Sequence, residues 1–235
     1  MTEQVSRLIE GVVAPVRRVL VFEPQPLLRD LLVGTLTHEG FDARGATDPE
    51  DAWNAFLRHD PDAVLLEYNI QSCESGATFA EALLDHSPGI GLVFLTDVRH
   101  PRIIDADNPG LPGGAAFLHK SSLSGSDEVV SALDHVLRGH GDVPRHDREY
   151  AAEWDDLSSQ QIDVLRLIAK GHSNKEIALL RGTQVRSVET LIGRTFDQLN
   201  INFTGGEGNR RVLAARHFLL AASPQPERVG LAHSA

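Results

Sequence analysis

The sequence predicts an α/β domain, a doubly wound five-stranded parallel sheet, followed by an all-α domain of four helices. Short continuous apolar runs alternate with helix-like segments over residues 16–141, as in parallel strands buried on both faces. Over residues 157–222 apolar residues recur instead at helical spacing, and glycines separate the helices. Charge divides the chain at the same place: residues 16–141 hold nine basic and nineteen acidic residues, whereas residues 157–222 hold nine and five.

The first part contains the alternation that a parallel sheet requires. The predicted strands are residues 19–22, 41–44, 63–66, 92–95 and 115–118, and the predicted helices are 27–36, 49–58, 77–85 and 127–137. Asp48 is a candidate N-cap, with Pro49 at the first helical position. Residues 108–114 contain two prolines and three glycines, so the fourth helix of the repeating pattern is expected to be short or replaced by a loop.

Polar side chains follow four of the predicted strands. Glu23, Glu67, Thr96 and Lys120 each lie at a strand's carboxyl end. These ends share one edge of a parallel sheet, where α/β proteins bind ligands. Two carboxylates, a hydroxyl and an ammonium group that converge there would normally indicate a magnesium-assisted phosphoryl site.

The second part is divided into helices by two capping boxes and two glycines. Ser158 with Gln161, and Ser173 with Glu176, have the spacing of a capping box, and Gly171 and Gly182 are placed to end helices. Two short helices joined by a glycine-containing turn, the second with a polar outward face, are typical of a DNA-binding helix-turn-helix. An ordinary small helical bundle has the same periodicity, and periodicity alone does not choose between the two.

The residues themselves resemble a known family. Residues 173–178, SNKEIA, with Leu157, Leu165 and Gly171 before them and Val188 and Leu199 after them, resemble the LuxR-type helix-turn-helix, the output domain of NarL/FixJ response regulators. The resemblance implies binding to double-stranded DNA. The implied DNA contacts are Lys175, Arg181, Arg186, Glu189, Thr190 and Arg194.

Three positions depart from that family's pattern. Glu189 stands where the family usually has a basic residue, and Gly193 where it often has another. Gln184 stands where the family prefers a Ser or Thr cap. A carboxylate repels phosphate, although it can accept a hydrogen bond from cytosine N4, so the sequence preference is expected to differ from the family norm.

The first part is similar to a response-regulator receiver domain in the order and spacing of its elements. The similarity places Glu23 and Pro24 at the acidic pair, Glu67 at the phosphoacceptor position, Thr96 and Lys120 at the hydroxyl and lysine positions, and Phe117 at the switch aromatic. Pro24 removes one metal ligand, and Glu67 is one methylene longer than the usual aspartate. We therefore expect no conventional aspartyl phosphorylation.

Two hypotheses remain for Glu67. In the first, its carboxylate reaches Lys120 or Thr96 and holds a fixed conformation that imitates the phosphorylated one. In the second, Glu67 is a relic in a receiver that only dimerises.

Composition excludes several other classes of protein. No stretch approaches 18 apolar residues and residues 1–18 do not resemble a signal peptide, so a cytoplasmic protein without a membrane span is expected. A lone Cys73 excludes an internal disulfide and a cysteine-based zinc site. The histidines near residue 140 lack a metalloprotease pattern, and no phosphate loop or nucleophile elbow is present. We expect no enzyme activity, cofactor or metal.

The predicted organisation has five parts. They are an N-terminal arm (1–15), an atypical receiver (16–141), a flexible polar linker with Trp154 as an anchor (142–156), the helix-turn-helix domain (157–222) and a disordered tail (223–235). The expected function is DNA-binding transcription regulation by a homodimer, because a net charge of +4 on one output domain is modest. The alternative is a protein- or ligand-sensing receiver whose output domain stays off DNA until an effector releases it.

Overall fold

The computed structural model describes residues 15–70, 76–107, 111–139, 142–201 and 209–222. The expected N-terminal arm, apart from its last residue, and the expected C-terminal tail lie outside these ranges, as does Cys73. Within them, no helix has the length and apolar character that crossing a bilayer demands.

A five-stranded, wholly parallel sheet organises the first part, as predicted. Its order is β2-β1-β3-β4-β5. The strands are β1 (Arg18–Phe22), β2 (Asp42–Ala46), β3 (Ala63–Leu66), β4 (Gly91–Thr96) and β5 (Ala116–His119). All residues of β3, β4 and β5 are buried, which explains why these strands appear in the sequence as continuous apolar runs.

Four helices cover the two faces of the sheet. They are α1 (Pro26–His38), α2 (Pro49–His59), α3 (Gly76–His86) and α4 (Asp127–Arg138). Helices α2 and α3 pack through residues such as Phe56 and Phe79 on one face. Helices α1 and α4 pack through Leu36 and Leu133 on the other. The predicted cap is present, since the Asp48 carboxylate accepts a hydrogen bond from the Asp51 backbone N–H.

The helix expected to be short or missing between β4 and β5 is replaced by one turn. Among the described residues between these strands, the only helical element is a 3-10 turn at Pro101–Ile103. Among the described residues, no full helix between β4 and β5 packs against the sheet. Val98, Ile103 and Ala106 instead lie in a hydrophobic cluster that also contains residues of the C-terminal helices.

Four helices form the C-terminal part: α6 (Ser159–Ala169), α7 (Asn174–Leu180), α8 (Val185–Gln198) and α9 (Arg210–Ala222). Both predicted capping boxes are present. Gly171 and Gly182 adopt φ values of 87° and 59°, the left-handed conformation that ends a helix and that side chains disfavour. Gln184 occupies the N-cap of α8 without a side-chain capping bond, as its departure from Ser or Thr would lead one to expect.

Residues 142–156 differ from the flexible linker expected from their polarity. They contain a 3-10 turn (His146–Glu149) and the short helix α5 (Ala151–Trp154), and the Phe117 backbone N–H donates to the Pro144 carbonyl. Asp147 is buried because the Arg145 guanidinium donates to both of its carboxylate oxygens at 2.6 and 2.7 Å. Paired charges thus let a polar segment pack against the sheet.

Candidate functional site

A buried ion triad occupies the carboxyl edge of the sheet. The Lys120 ammonium lies 2.8 Å from Glu23 Oε2 and 2.7 Å from Glu67 Oε2. The side chains of the lysine and the two glutamates are 13%, 4% and 9% exposed. Of the two partners considered for Glu67, the structure therefore places its carboxylate on Lys120.

Backbone groups hold the other oxygen of each carboxylate. The Gln25 N–H donates to Glu23 Oε1 at 2.9 Å, and the Asn69 N–H donates to Glu67 Oε1 at 2.8 Å. Both glutamates follow buried strands directly, so the strand ends fix their backbones while these short turns fix their side chains. Each carboxylate is thus held at both oxygens.

The lysine is held in its charged form. Burial by itself lowers the pKa of Lys120, but the charges and hydrogen bonds of Glu67 and Glu23 outweigh burial and leave that pKa raised. The ammonium group therefore neutralises one of the two buried carboxylates. It also occupies the space between them.

The remaining predicted pocket residues surround this triad. Pro24, Thr96 and both glutamates line a cavity of about 450 Å³. Thr96 is fully buried, and its hydroxyl accepts a hydrogen bond from the Val98 N–H at 3.3 Å. Pro24 contributes no side-chain oxygen there, and within the described ranges no group of three or more His, Cys, Asp or Glu side chains is arranged to hold a metal ion.

Phe117, the predicted switch aromatic, is fully buried. Its ring contacts the rings of Tyr68 and Phe94, with centroids 6.0 and 6.4 Å away. Sequence reasoning did not single out Tyr68, which is also fully buried, and burial raises the pKa of its hydroxyl. The aromatic side chain thus points into the core in this conformation.

The predicted DNA contacts lie on one accessible side of the C-terminal helices. Lys175, Arg186, Glu189, Thr190 and Arg194 are exposed, and Arg181 is half-buried. Val188, Ile192, Thr195 and Phe196 form the opposite, buried face of α8. The face of α8 that was predicted to contact DNA is therefore its solvent-exposed face.

Of the predicted contacts, Arg181, Thr190 and Arg194 share one surface depression, and Lys175, Arg186 and Glu189 are not among its lining residues. This depression has a volume of about 610 Å³ and lies between α6 and the α7–α8 turn. The Thr190 hydroxyl donates to the Arg186 carbonyl at 3.0 Å, which keeps this short side chain close to the helix.

Seven of the nine basic residues of the helical part differ in whether they have a partner within the protein. Arg166, Arg210 and Arg211 donate to carboxylate, amide or carbonyl oxygens of the protein itself. Within the described part of the chain, Lys175, Arg181, Arg186 and Arg194 have no hydrogen bond or ion pair through their side chains. Their charges are therefore available to an external anion.

Sequence reasoning missed most of a contact between the sheet part and the helical part. Arg102 donates to the carbonyls of Trp154 and Asp155 at 2.7 and 3.0 Å. In the other direction, Arg166 donates to the carbonyls of Ile103 and Ile104, both at 3.2 Å. These pairs are 52 to 63 positions apart in the sequence, and no local pattern predicts contacts over that separation.

Trp154, expected to be an anchor, is at the centre of this contact. Its ring is fully buried, stacks on His217 at 5.7 Å and meets Phe218 edge-on at 6.1 Å. At the edge of the contact the Arg99 N–H donates to the carbonyl of Ala221, and Ala222 lines the cavity beside the ion triad. The end of α9 therefore reaches the mouth of the receiver-like pocket.

Comparison with known proteins supports both parts of this description. Residues 155–203 match the family model of bacterial regulatory proteins of the luxR family. The putative positive transcription regulator of virulence factors BvgA of Bordetella pertussis is 26% identical over 194 residues, 78% of this chain and 90% of that protein. The response regulator GacA of Pseudomonas aeruginosa is 24% identical over 223 residues, 88% and 99% of the two chains.

A solved structure of similar fold is the two-component response regulator RcsB in complex with DNA, with a TM-score of 0.56 and 18% identity over 88% of this chain and all of that one. A second is RcsB of Salmonella enterica serovar Typhimurium bound to promoter rprA, with a TM-score of 0.51 and 19% identity over 86% and 98% of the two chains. These likenesses confirm the predicted fold class. Residues 155–203 match the luxR-family regulatory domain, and the chain is a homologue of transcriptional response regulators.

Proposed function

We propose that this protein is a transcription regulator that binds DNA as a homodimer without conventional phosphorylation of its receiver. The observation that supports a receiver without conventional phosphorylation is the bridge that Lys120 forms between Glu23 and Glu67. DNA binding is supported by the luxR-family domain and by the unpaired basic side chains around α8.

DNA binding is supported by basic side chains that have no partner within the described protein. The affinity of a protein for DNA rises with the number of phosphates that its basic side chains neutralise. Lys175, Arg181, Arg186 and Arg194 have no competing internal partner among the described residues, so binding a phosphate breaks no ion pair. Four such contacts for each subunit are few, which favours two copies on paired half-sites.

A receiver that acts without phosphorylation is supported by the occupancy of its pocket. Phosphoryl transfer to Glu67 would proceed through one carboxylate oxygen, and in this structure one oxygen is bonded to Lys120 and the other to the Asn69 N–H. The position beside Glu23 offers a proline ring where magnesium coordination would use a second carboxylate. We infer that the negative charge of Glu67 takes the place of a phosphoryl group opposite Lys120 and fixes one conformation of the receiver.

The test of DNA binding is a salt-titrated measurement on fragments selected from a random DNA library, with the untreated full-length protein. We expect selective binding that weakens steeply with salt. Arg186→Ala or Arg194→Ala should lower affinity and reduce the slope of log K against log salt by about 1 for each phosphate that the protein no longer neutralises.

Arg216→Ala is the matched control for this test, because Arg216 is an exposed arginine on α9, away from the outward face of α8. It should leave affinity and slope near the wild-type values. Equal effects of all three substitutions, or none from any of them, would overturn the assignment of α8 as the DNA-reading element.

A second function is favoured by the contact between the two parts. The Arg102 and Arg166 bonds and the buried Trp154 hold the helical part against the receiver-like part, and a partner that separated them would free the output domain. In that case Arg102→Ala should strengthen DNA binding. Under the main proposal it should leave DNA affinity unchanged, because the outward face of α8 is already exposed.

A further inference from the structure

Gly193 is a glycine inside a helix. It is the ninth residue of the fourteen-residue helix α8, on the outward face that also carries Arg186, Glu189 and Thr190. Glycine destabilises a helix interior relative to alanine, because the unfolded chain loses more conformational freedom there. A glycine at such a position therefore calls for a reason.

Nothing within the described protein supplies that reason. A Cβ added at Gly193 would meet no atom within 4 Å, and its φ is not in the left-handed region. Some glycines of this chain are explained by packing, whereas Gly34, inside α1, is as open as Gly193, so the neighbours of Gly193 must supply the distinction. A Cβ at Gly76 would lie 2.5 Å from the Glu67 carbonyl oxygen, and one at Gly91 would lie 2.8 Å from the Val136 side chain.

The surroundings of Gly193 indicate what lies against it. Thr190, one turn earlier, is short, and its hydroxyl is bonded to the helix backbone. The two positions together leave the backbone of α8 open to a close surface. Arg186 and Arg194 flank this opening with exposed guanidinium groups that have no partner among the described residues, so the surface that fits is anionic.

Resting on the DNA binding proposed above, we infer that Gly193 is a positioning residue at which the backbone of α8 lies directly against duplex DNA. The missing side chain sets how deeply the helix enters the groove. It thereby sets whether Glu189, one turn earlier on the same face, reaches a base edge. A methyl group at position 193 holds the helix away from the DNA although it stabilises the free protein.

One substitution at Gly193 should have two effects of opposite sign. Gly193→Ala should raise the thermal unfolding midpoint and weaken binding to the selected DNA by about tenfold or more, and Gly193→Leu should weaken binding further. Gly34→Ala is the matched control, because Gly34 lies inside α1 and a Cβ there also meets nothing within 4 Å. It should raise the midpoint and leave DNA affinity unchanged.

Affinity is measured by fluorescence anisotropy with the full-length protein, and the unfolding midpoint by circular dichroism. Equal or tighter DNA binding by Gly193→Ala, while the wild type binds selectively, would overturn the inference and leave the proposed function intact. Failure of the wild type itself to bind selectively would overturn the proposed function, and the inference with it. A parallel loss of binding in Gly34→Ala would also contradict a role specific to α8.

Discussion

Replacing Lys120 by methionine tests the ion triad directly. Methionine keeps most of the apolar stem and removes the ammonium group, so two buried carboxylates remain opposite each other. From the Lys120–Glu23 and Lys120–Glu67 distances, their Oε2 atoms lie within about 5.5 Å, where two unit charges repel by about 3 kcal/mol at an effective dielectric constant of about 20. With the lost hydrogen bonds, we expect the free energy of unfolding to fall by about 3–5 kcal/mol at pH 8.

Acid should reduce this penalty. In the variant the repulsion itself favours the protonated form of a carboxylate, so the destabilisation relative to wild type should shrink as the pH falls from 8 to 5. Adding Glu67→Gln to Lys120→Met should restore most of the lost stability at pH 8, because a single carboxylate then remains in the pocket. The two changes are therefore coupled.

Urea unfolding of the wild type, Lys120→Met, Glu67→Gln and the double variant at pH 5 and pH 8 measures these differences. Lys170→Met is the control, since Lys170 is exposed at the end of α6 and has no ion pair among the described residues. A penalty for Lys120→Met no larger than that of the control would refute the argument. So would the same penalty at both pH values.

Three further predictions concern the outward face of α8, the contact between the sheet part and the helical part, and two buried histidines. Glu189→Lys should raise nonspecific DNA affinity and steepen its salt dependence while lowering selectivity, as measured with selected and random fragments. Trp154→Ala should cost about 3–5 kcal/mol and split urea unfolding into two transitions, whereas Trp53→Ala, in the sheet part, should not split it. Burial lowers the pKa of His100 and His119. The folded state therefore binds fewer protons than the unfolded state below about pH 6.5, so stability should fall from pH 7.5 to pH 5.5, and less so in the His100→Gln, His119→Gln variant.

The strands and helices were predictable because each is specified locally. Continuous apolar runs marked the buried strands, and the boxes at Ser158 and Ser173 fixed the starts of two helices to the residue. Strand β2 begins and ends later than predicted, because most of its residues are exposed and its apolar signal is weak. The convergence of Glu23, Glu67 and Lys120 followed from sheet topology alone.

What the sequence did not reveal depends on distant partners. The Glu67 carboxylate binds Lys120 rather than Thr96 because of how far these side chains extend across the sheet edge. The spacing of residues in the sequence does not predict that distance. Residues 142–156 pack against the rest of the protein because Arg145 pairs with Asp147 and because Trp154 is buried in a hydrophobic cluster. Composition records the polarity of that segment but not those partners.

Under the proposed function, this protein binds DNA with Glu67 in place of a phosphorylated aspartate. The most direct measurement compares DNA affinity of the full-length protein with and without magnesium and a small-molecule phosphodonor, with intact-protein mass recorded on the same samples. We expect equal, selective affinity in both samples and no phosphoryl group on the protein. A phosphorylated protein that binds at least tenfold more tightly would contradict the claim.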